Sequence, residues 1–277
     1  MRVWAIALDV LREASSRRWL LALGVAVTAA LLVIALSLKL EVVDGALAAS
    51  HLFGASLGTD VRAAEVAMHA VFGAAAMVIY YAGLPFGVLL CADFAPRLLA
   101  PGRVEQLLSL PLRRGELLLG TWLGVLVLAT GASLYAAGGL AFVLGVKTGV
   151  WAPGPFIAAA LAGVTFAALY AAMLAAAVFV RSAALSGFVG LALYTFGIAG
   201  SYRLQAKTYL APGAGREILL ALTAALPRVA ALGDAAGRLA ADAPVEWPRL
   251  AALVGGALAF ALGALAVAEL RFEWKDY

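Results

Sequence analysis

Few residues in this sequence have the type and spacing that catalysis or metal binding requires. His51 and His69 are the only histidines, and they lie 18 residues apart without a second ligand at helical spacing. Cys91 is the only cysteine, which excludes an intrachain disulfide and a cysteine metal cluster. We interpret His51 as an outer-loop residue and His69 as an interfacial one. We therefore expect no catalytic, cofactor-binding or metal-binding residue in this chain.

Two further patterns resemble chemical motifs only superficially. The run Gly145-Val-Lys-Thr-Gly149 lacks the GxxxxGK[ST] order of a phosphate-binding loop and falls at a predicted outer helix end. Asp242 and Glu246 are explained more simply as solvated turn residues than as a catalytic acid pair. The sequence predicts that this chain is not itself an enzyme.

The composition of the chain indicates a membrane protein. Of its 277 residues, 65% are hydrophobic and 13% are charged, whereas soluble domains carry about 45–50% apolar and about 25% charged residues. The net charge of +4 comes without a basic run interleaved with aromatic residues, so we expect no nucleic-acid partner. We predict one all-α transmembrane domain over residues 1–277.

The elements of this domain follow from runs of about 20 apolar residues, the length that crosses a bilayer as a helix. The alternating pattern of an outer-membrane barrel is absent from the sequence. Five of the six runs contain no Asp, Glu, Lys, Arg or His and the second holds only His69 of these types, which argues against ion-coupled transport. The six predicted spans lie near residues 19–38, 66–92, 117–146, 156–180, 183–201 and 250–268.

The segments outside the spans differ in character. Residues 1–18 predict an amphipathic helix in the membrane interface, with Asp9 and Glu13 on its polar side. Residues 39–65 predict a modest outer loop, and residues 202–249 a longer one with short helices or a re-entrant element. The predicted apolar face of the first helix consists of Val3, Trp4, Ala7, Leu8 and Leu11.

Small residues and one proline predict features of helix packing. Gly83-x-x-x-Gly87 and Gly120-x-x-x-Gly124 have the spacing that lets two helix backbones approach closely. Pro85 predicts a kink in the second span.

The distribution of lysine and arginine predicts the orientation. With the N-terminus inside, eleven of these residues fall on the cytoplasmic side and nine outside, six of the nine in the long loop. Because long loops predict orientation less well than short ones, the informative count is eleven to three. We expect a multi-pass protein of the inner (plasma) membrane with both termini in the cytoplasm.

The predicted cytoplasmic loop over residues 93–116 has the most specific pattern. An apolar stripe at helical spacing precedes Pro111, which ends the helix because the residue before a proline is disfavoured in the α region. A basic pair and Glu116 then open the third span. The candidate functional residues of the loop are Arg103, Val104, Glu105, Gln106, Leu107, Leu108, Pro111, Arg113 and Arg114.

This loop resembles the coupling-helix region of the type 2 ABC-transporter permease family, whose members carry a glycine, an acidic residue, a leucine-rich run ending in proline, and a basic pair. The N-terminal helix, which ends at residues 15–20, and the C-terminal residues 271–277 are also similar to the corresponding segments of that family. Two positions depart from the family pattern. Members often carry a lysine where this chain has Thr121, and many carry a threonine where it has Arg103. The matching positions are Gly102, Glu105, Leu107–Pro111, Arg113 and Arg114.

The resemblance implies a permease subunit, the transmembrane part of an exporter that couples ATP hydrolysis to translocation. Its partners would be a cytoplasmic ABC ATPase, a second copy or homologue of the permease, and membrane lipid. ATP and magnesium would bind in the ATPase, and the loop residues named above would couple the chain to it. Small apolar residues along the spans favour an amphipathic or hydrophobic substrate.

Three other interpretations remain open at this stage. The loop could be a basic juxtamembrane helix that binds anionic lipid. The chain could instead be a membrane enzyme acting on lipid-linked substrates, or a non-transporting scaffold subunit. Co-purification with an ATPase separates the transporter from the enzyme and the scaffold.

Overall fold

A computed structural model describes most of the chain, and the helices within the described part account for nearly all of its ordered structure. The described residues are 2–16, 18–43, 46–52, 55–58, 62–100, 102–103, 113–203, 213, 215, 217–218, 223 and 225–274. The helices discussed below are α1 (Arg2–Ser15), α2 (Arg18–Ser37), α3 (Ala64–Cys91), α4 (Phe94–Leu98), α5 (Arg114–Thr148), α6 (Gly154–Phe179), α7 (Ala183–Ser201), α8 (Val229–Ala240) and α9 (Trp247–Glu273).

Within the described residues, five helices are long and apolar enough to cross a membrane: α3, α5, α6, α7 and α9. At 1.5 Å per residue, the 26 residues of α6 extend about 39 Å, more than the roughly 30 Å hydrocarbon core of a bilayer. This is the architecture of a multi-pass helical membrane protein. The predicted spans from 66–92 onward fall on these five helices, and the first falls on α2, whose described apolar stretch, Gly24–Leu36, is shorter.

Helix α6 is the centre of the bundle, and α3, α5, α7, α8 and α9 all pack against it. Alanine and glycine occupy much of its surface, which lets neighbouring helices approach on every side. The largest side chains that it buries are Phe166, Leu169, Tyr170 and Met173. An apolar residue on this helix therefore faces protein on nearly every side.

The segment between α2 and α3, where the sequence predicts an outer loop over 39–65, contains the strands of a small antiparallel sheet. Strands β1 (Leu38–Val43) and β2 (Ala46–Leu52) pair side by side, and β2 also pairs with β3 (Ala55–Gly58) and β4 (Arg62–Ala63). Apolar and charged residues alternate at the start of β1, and this pattern favours a strand. The strand has only six residues and directly follows a long apolar run, so the pattern is too short to predict it. The membrane-crossing elements themselves are helical throughout.

The strands, residues 149–153 between α5 and α6, and residues 241–246 between α8 and α9 lie at one end of the bundle, called the sheet face below. The long helices α3, α5, α6, α7 and α9 alternate in direction. Residues 92–100, 102–103, 113–116 and 180–182 and the last turn of α9 consequently lie at the other end, called the loop face.

Helix α3 continues through Pro85, and the carbonyl group that this proline leaves without a helical partner is satisfied from α7. Proline has no N–H, so the Tyr81 carbonyl one turn earlier cannot form its usual helical hydrogen bond. The Tyr194 hydroxyl donates a hydrogen bond to that carbonyl at 3.0 Å. A hydrogen bond between helices thus replaces one within the helix, as the low-polarity surroundings require.

Helix α8 enters the bundle from the sheet face, and its first residue lies deepest. A Cβ atom built on Gly154, the first residue of α6, would contact Ala240 at the end of α8. At the other end of α8, the Tyr80 hydroxyl binds both the Val229 carbonyl and Thr165. Thr165 lies about 16 Å along α6 from Gly154. Most of the apolar run Ile218–Leu226, which the sequence marks as too short to cross, lies outside the described residues.

Side chains of two neighbouring helices, α3 and α7, bind polar groups at the buried start of α8, and the Thr165 hydroxyl of α6 lies beside one of them. Free N–H groups at a helix start require acceptors, and here the Ser201 hydroxyl accepts hydrogen bonds from the backbone N–H groups of Ala230 and Ala231 at 3.0 and 3.3 Å. The Tyr80 hydroxyl donates to the Val229 carbonyl at 2.9 Å and lies 2.7 Å from the Thr165 hydroxyl. The start of α8 is therefore held by hydrogen bonds as well as by packing.

We predict that Tyr80→Phe destabilises the protein and that Tyr170→Phe does not. Removing the Tyr80 hydroxyl breaks two buried hydrogen bonds, to the Val229 carbonyl and with the Thr165 hydroxyl, and a buried hydrogen bond typically contributes about 0.5–1.5 kcal/mol. The equally buried Tyr170 hydroxyl has no hydrogen-bond partner among the described residues, so its removal costs nothing or stabilises. Thermal unfolding of the purified variants in one detergent measures both. Equal losses for the two variants would contradict the role assigned to Tyr80.

Candidate functional site

The loop that carries the predicted functional residues lies at the loop face, and the structure describes its two ends. Arg103 precedes the gap, and Arg113 and Arg114 follow it at the start of α5. The remaining candidates, Val104, Glu105, Gln106, Leu107, Leu108 and Pro111, lie outside the described residues. The site is therefore built from what the two ends contact.

Arg103 binds the polar side of α1. Its guanidinium donates a hydrogen bond to the Glu13 carboxylate at 2.6 Å and lies 3.6 Å from the Asp9 carboxylate. The bond to Glu13 and, less strongly, the charge of Asp9 raise the pKa of the Arg103 guanidinium, while its partial burial opposes them. The first end of the loop is thus joined to a helix 90 residues away in sequence.

Helix α1 in turn lies against the first three turns of α5, where two glycines allow contact between backbones. A Cβ atom built on Gly120 would lie 2.6 Å from the Ile6 Cβ atom, and one on Gly124 would lie 2.9 Å from the Ala7 carbonyl oxygen. No side chain could occupy either position without moving α1. The pair Gly120-x-x-x-Gly124 therefore serves the contact between helices that its spacing predicts, and α1 is the partner.

Helix α1 packs on α5 through a stripe of buried residues that shares only Ala7 with the apolar face predicted for the membrane interface. The buried residues are Ile6, Ala7, Val10 and Ala14, whereas Trp4 and Leu8 of the predicted face are exposed. Both stripes recur at helical spacing, but a contact over two glycines selects the stripe with the smaller side chains. The bulkier apolar residues are left on the outer surface of the helix.

The second end of the loop is joined to the end of α9. The Arg114 guanidinium donates hydrogen bonds to the carbonyl oxygens of Phe272 and Glu273 at 2.6 and 2.9 Å, and it lies over the Phe272 ring. Those carbonyls belong to the last turn of α9, where a cation is favoured by both hydrogen bonding and the helix dipole. At the start of α5, the Glu116 carboxylate accepts a hydrogen bond from the backbone N–H of Arg113.

Further charged residues surround the two contacts made by Arg103 and Arg114, the anchors of the loop, on the loop face. Asp93 and Arg97 form an ion pair in α4, and the Arg271 guanidinium lies 5.5 Å from the centre of the Phe179 ring. The Glu269 carboxylate packs against Gly115, at a position where a larger residue would displace it. The sequence pattern identifies Arg103 and Arg114 as candidates but not their partners. It places Glu13 on the polar side of α1 without pairing it with Arg103, and it does not indicate that Arg114 binds the carbonyls of α9.

The weaker chemical patterns of the sequence are not brought together. His51 lies in β2 and His69 in α3, while Asp242 follows α8 and Glu246 precedes α9. Asp242 adopts a positive φ of 52° in the turn after α8. Among the described residues, no group of three His, Cys, Asp or Glu side chains is close enough to hold a metal ion.

An apolar cleft of about 490 Å³ lies between α2, α3, α5 and α6, at the middle of the bundle. This volume is within the range of small-molecule sites in proteins, roughly 300–1,000 Å³. Small residues keep the cleft open, and Ser133 is one of the few polar side chains that line it. The lining also includes Ala26, Val78, Phe86, Leu128 and Phe166.

Comparison with known proteins gives no family for this chain. No protein-family model matches the sequence, and no curated protein matches it. A function must therefore be argued from the residues and contacts described above.

We predict opposite effects of alanine at two glycines of α5. Alanine is favoured over glycine inside a helix by about 0.8–1.0 kcal/mol, so Gly131→Ala, where a Cβ atom meets nothing within 4 Å, should preserve or raise the unfolding temperature. Gly124→Ala should lower it, because the added carbon contacts Ala7 and Val10. Tryptic cleavage at Arg12 should also accelerate in this variant. If the two variants behave alike, α1 does not dock on Gly124.

Proposed function

We propose that this chain is the permease subunit of an ATP-driven transporter of the type 2 ABC class, and that it works as an exporter. In this proposal the chain itself performs no catalysis. A separate cytoplasmic ATPase binds ATP and magnesium, and two permease subunits, identical or homologous, form the translocation pathway. Residues 103–114 belong to the loop on which the ATPase pushes.

The observation that best supports this proposal is the pair of anchors at the ends of the loop. Arg103 joins the loop to α1 through Glu13, and Arg114 joins it to the end of α9. A force applied to residues 104–112 would therefore reach an N-terminal helix and a membrane helix at once. This arrangement suits a loop that transmits motion, whereas a loop that only binds anionic lipid would leave its guanidinium groups toward the head groups.

In the same proposal α2 is a sixth span and α1 lies in the membrane interface. Helix α2 has 20 residues, about 30 Å of helix and enough for a typical bilayer core. It connects α1, which packs on α5 near the loop face, with the sheet at the other end. Both termini and the loop face then lie in the cytoplasm, and the sheet face lies outside the inner (plasma) membrane.

The apolar cleft between α2, α3, α5 and α6 supports an amphipathic or hydrophobic substrate. Its lining offers dispersion contacts and burial but few hydrogen-bonding groups. A strongly polar substrate would lose its hydration there without compensation. We assign to this cleft a part of the pathway or of its lateral opening.

The proposal is tested first by the composition of the complex and by loop variants. We expect an ABC ATPase to co-purify with the chain from its native membranes. Leu107→Ala with Leu108→Ala should reduce the retained ATPase more than Glu105→Ala, because burying a leucine contributes about 1.5–3 kcal/mol and an exposed ion pair about 0–1 kcal/mol. Glu105→Ala and Pro111→Ala should instead leave the complex intact but weaken the link between ATP hydrolysis and transport.

A matched control is Leu258→Ala with Leu262→Ala, which removes two exposed leucines one turn apart on α9. This pair should leave the bound ATPase unchanged. A purified complex with no ATP-binding partner would refute the transporter. Loop variants with wild-type assembly, hydrolysis and transport would show instead that residues 103–114 do not couple the two proteins.

The orientation is tested by labelling single cysteines in a Cys91→Ala background. We expect Ser16→Cys and Glu105→Cys to react only from the cytoplasm and Asp242→Cys only from outside. Labelling of positions 16 and 105 from opposite sides would show that α2 does not cross. Labelling of position 105 from outside in intact cells would reverse the orientation.

A further inference from the structure

The apolar cleft of about 490 Å³ between α2, α3, α5 and α6 has exposed residues on its rim. On α3, the lining residues Val78 and Phe86 are 65% and 62% exposed. On α2, the lining residues Ala26 and Ala30 are also exposed. The cleft therefore opens on the outer surface of the bundle, between α2 and α3.

This opening lies at the depth of the bilayer hydrocarbon. At 1.5 Å per residue, Val78 is about 20 Å from either end of α3, and the lining residue Ala132 is about 27 Å and about 24 Å from the two ends of α5. The hydrocarbon core of a bilayer is about 30 Å thick, so its middle borders the opening. Acyl chains, rather than water or head groups, are the neighbours of the cleft.

The glycine pair Gly83-x-x-x-Gly87 of α3 contributes to the hollow shape of the cleft. A Cβ atom built on Gly87 would lie 3.2 Å from the Phe166 ring, so this glycine allows the contact between α3 and α6. A Cβ atom built on Gly83 would meet nothing within 4 Å, and Gly83 lines the cleft. The close approach predicted from the spacing therefore holds for Gly87, whereas Gly83 leaves space for another molecule.

Helix α2 forms one wall of the cleft and is attached to the bundle along one side. Its Leu31 side chain packs over Gly139 of α5, and the Thr28 and Tyr135 hydroxyls lie 2.7 Å apart. Elsewhere in the described part of the chain, α2 touches chiefly α1 and β1, its neighbours in sequence. The side of α2 that faces α3 is thus the open side of the cleft.

The lining of the cleft favours hydrocarbon over water. Within the described lining, Ser133 is the one side chain that carries a hydroxyl group, and the other side chains offer almost no hydrogen-bonding partners. Apolar cavities in proteins stay dry and take up apolar ligands. An empty cleft would also forfeit the dispersion contacts of its walls. An acyl chain from the adjoining bilayer supplies those contacts.

We propose that an acyl chain of a membrane phospholipid enters this cleft sideways, between α2 and α3, and lies against Gly83 and Phe166. The inference deepens the proposed function and rests on it for the role of the bound chain. In that role, the substrate is an amphiphile with a long hydrocarbon chain, and it reaches the pathway from the bilayer instead of from water. Binding of the acyl chain itself requires no ATPase.

The test is photo-crosslinking of the purified protein in phosphatidylcholine vesicles, a fraction of whose lipid carries a diazirine at the middle of one acyl chain. Mass spectrometry then locates the lipid adducts. We expect adducts on Phe166, which is 3% exposed and which a chain reaches only from inside the cleft. The exposed Leu258 and Leu262 of α9 face the surrounding lipid, and adducts there serve as the internal standard.

Two leucine variants at exposed glycines provide the matched comparison. Gly83→Leu should fill the cleft and reduce the Phe166 adduct at least fivefold relative to the adducts on α9. Gly131 is a glycine of α5 outside the cleft, and a Cβ atom built there also meets nothing within 4 Å. Gly131→Leu should therefore leave the Phe166 adduct within twofold of wild type. Should Gly83→Leu not fold, Ala132→Leu fills the cleft from α5, and the same loss is expected from it.

Two results would overturn the proposal. Adducts on α9 without any on Phe166 would show that the acyl chain is excluded, as it would be if a second copy of the protein covered the cleft. Equal Phe166 adducts in the Gly83→Leu and Gly131→Leu variants would show that the label does not arise in the cleft. The labelling uses no ATP and no transport, so its failure is distinguishable from a failure to co-purify an ATPase.

Discussion

The interior of a membrane offers no water to backbone groups, and the Ser201 hydroxyl satisfies that constraint where α8 enters the bundle. It accepts hydrogen bonds from the N–H groups of Ala230 and Ala231 in the first turn of α8. Without such an acceptor the start of a helix could not lie so deep, because each unsatisfied polar group in hydrocarbon costs several kcal/mol. The Tyr80 hydroxyl adds hydrogen bonds that join α3 to the Thr165 hydroxyl of α6 and to the Val229 carbonyl. The position of α8 depends on this small set of hydroxyl groups.

The loop face is organised by different forces. Two glycines remove the side chains that would separate α1 from α5, and close backbone contact then places Glu13 beside Arg103. Arg114 donates hydrogen bonds to the Phe272 and Glu273 carbonyls in the last turn of α9, where a helix C-terminus presents acceptors. These contacts lie at the end of the bundle, where charged groups keep access to water. They give the proposed coupling loop two attachments that are far apart in sequence.

Between the two ends, the bundle is almost wholly apolar. Helix α6 is packed by its neighbours on every side, so it can act as the fixed element against which α2, α3 and α5 border the apolar cleft. Among the described residues, only a few polar side chains lie between the faces, such as the hydroxyls of Thr28 and Tyr135, which are 2.7 Å apart, and the Trp122 indole, which donates to the Ala167 carbonyl. The proposed function follows this division: force arrives at the loop face, and an apolar substrate occupies the middle.

The sequence by itself determined the membrane class and the helices, because a run of about 20 apolar residues has no other stable form in a bilayer. It also marked Gly120 and Gly124 as a site of close approach, and Arg103 and Arg114 as candidate functional residues. Only the tertiary structure decided their partners. The two apolar stripes of α1 are equivalent in periodicity, and contact with the glycines of α5 selected the stripe of Ile6 and Val10. Likewise, Tyr80, Ser201 and Val229 meet through packing of distant segments, which no local pattern records.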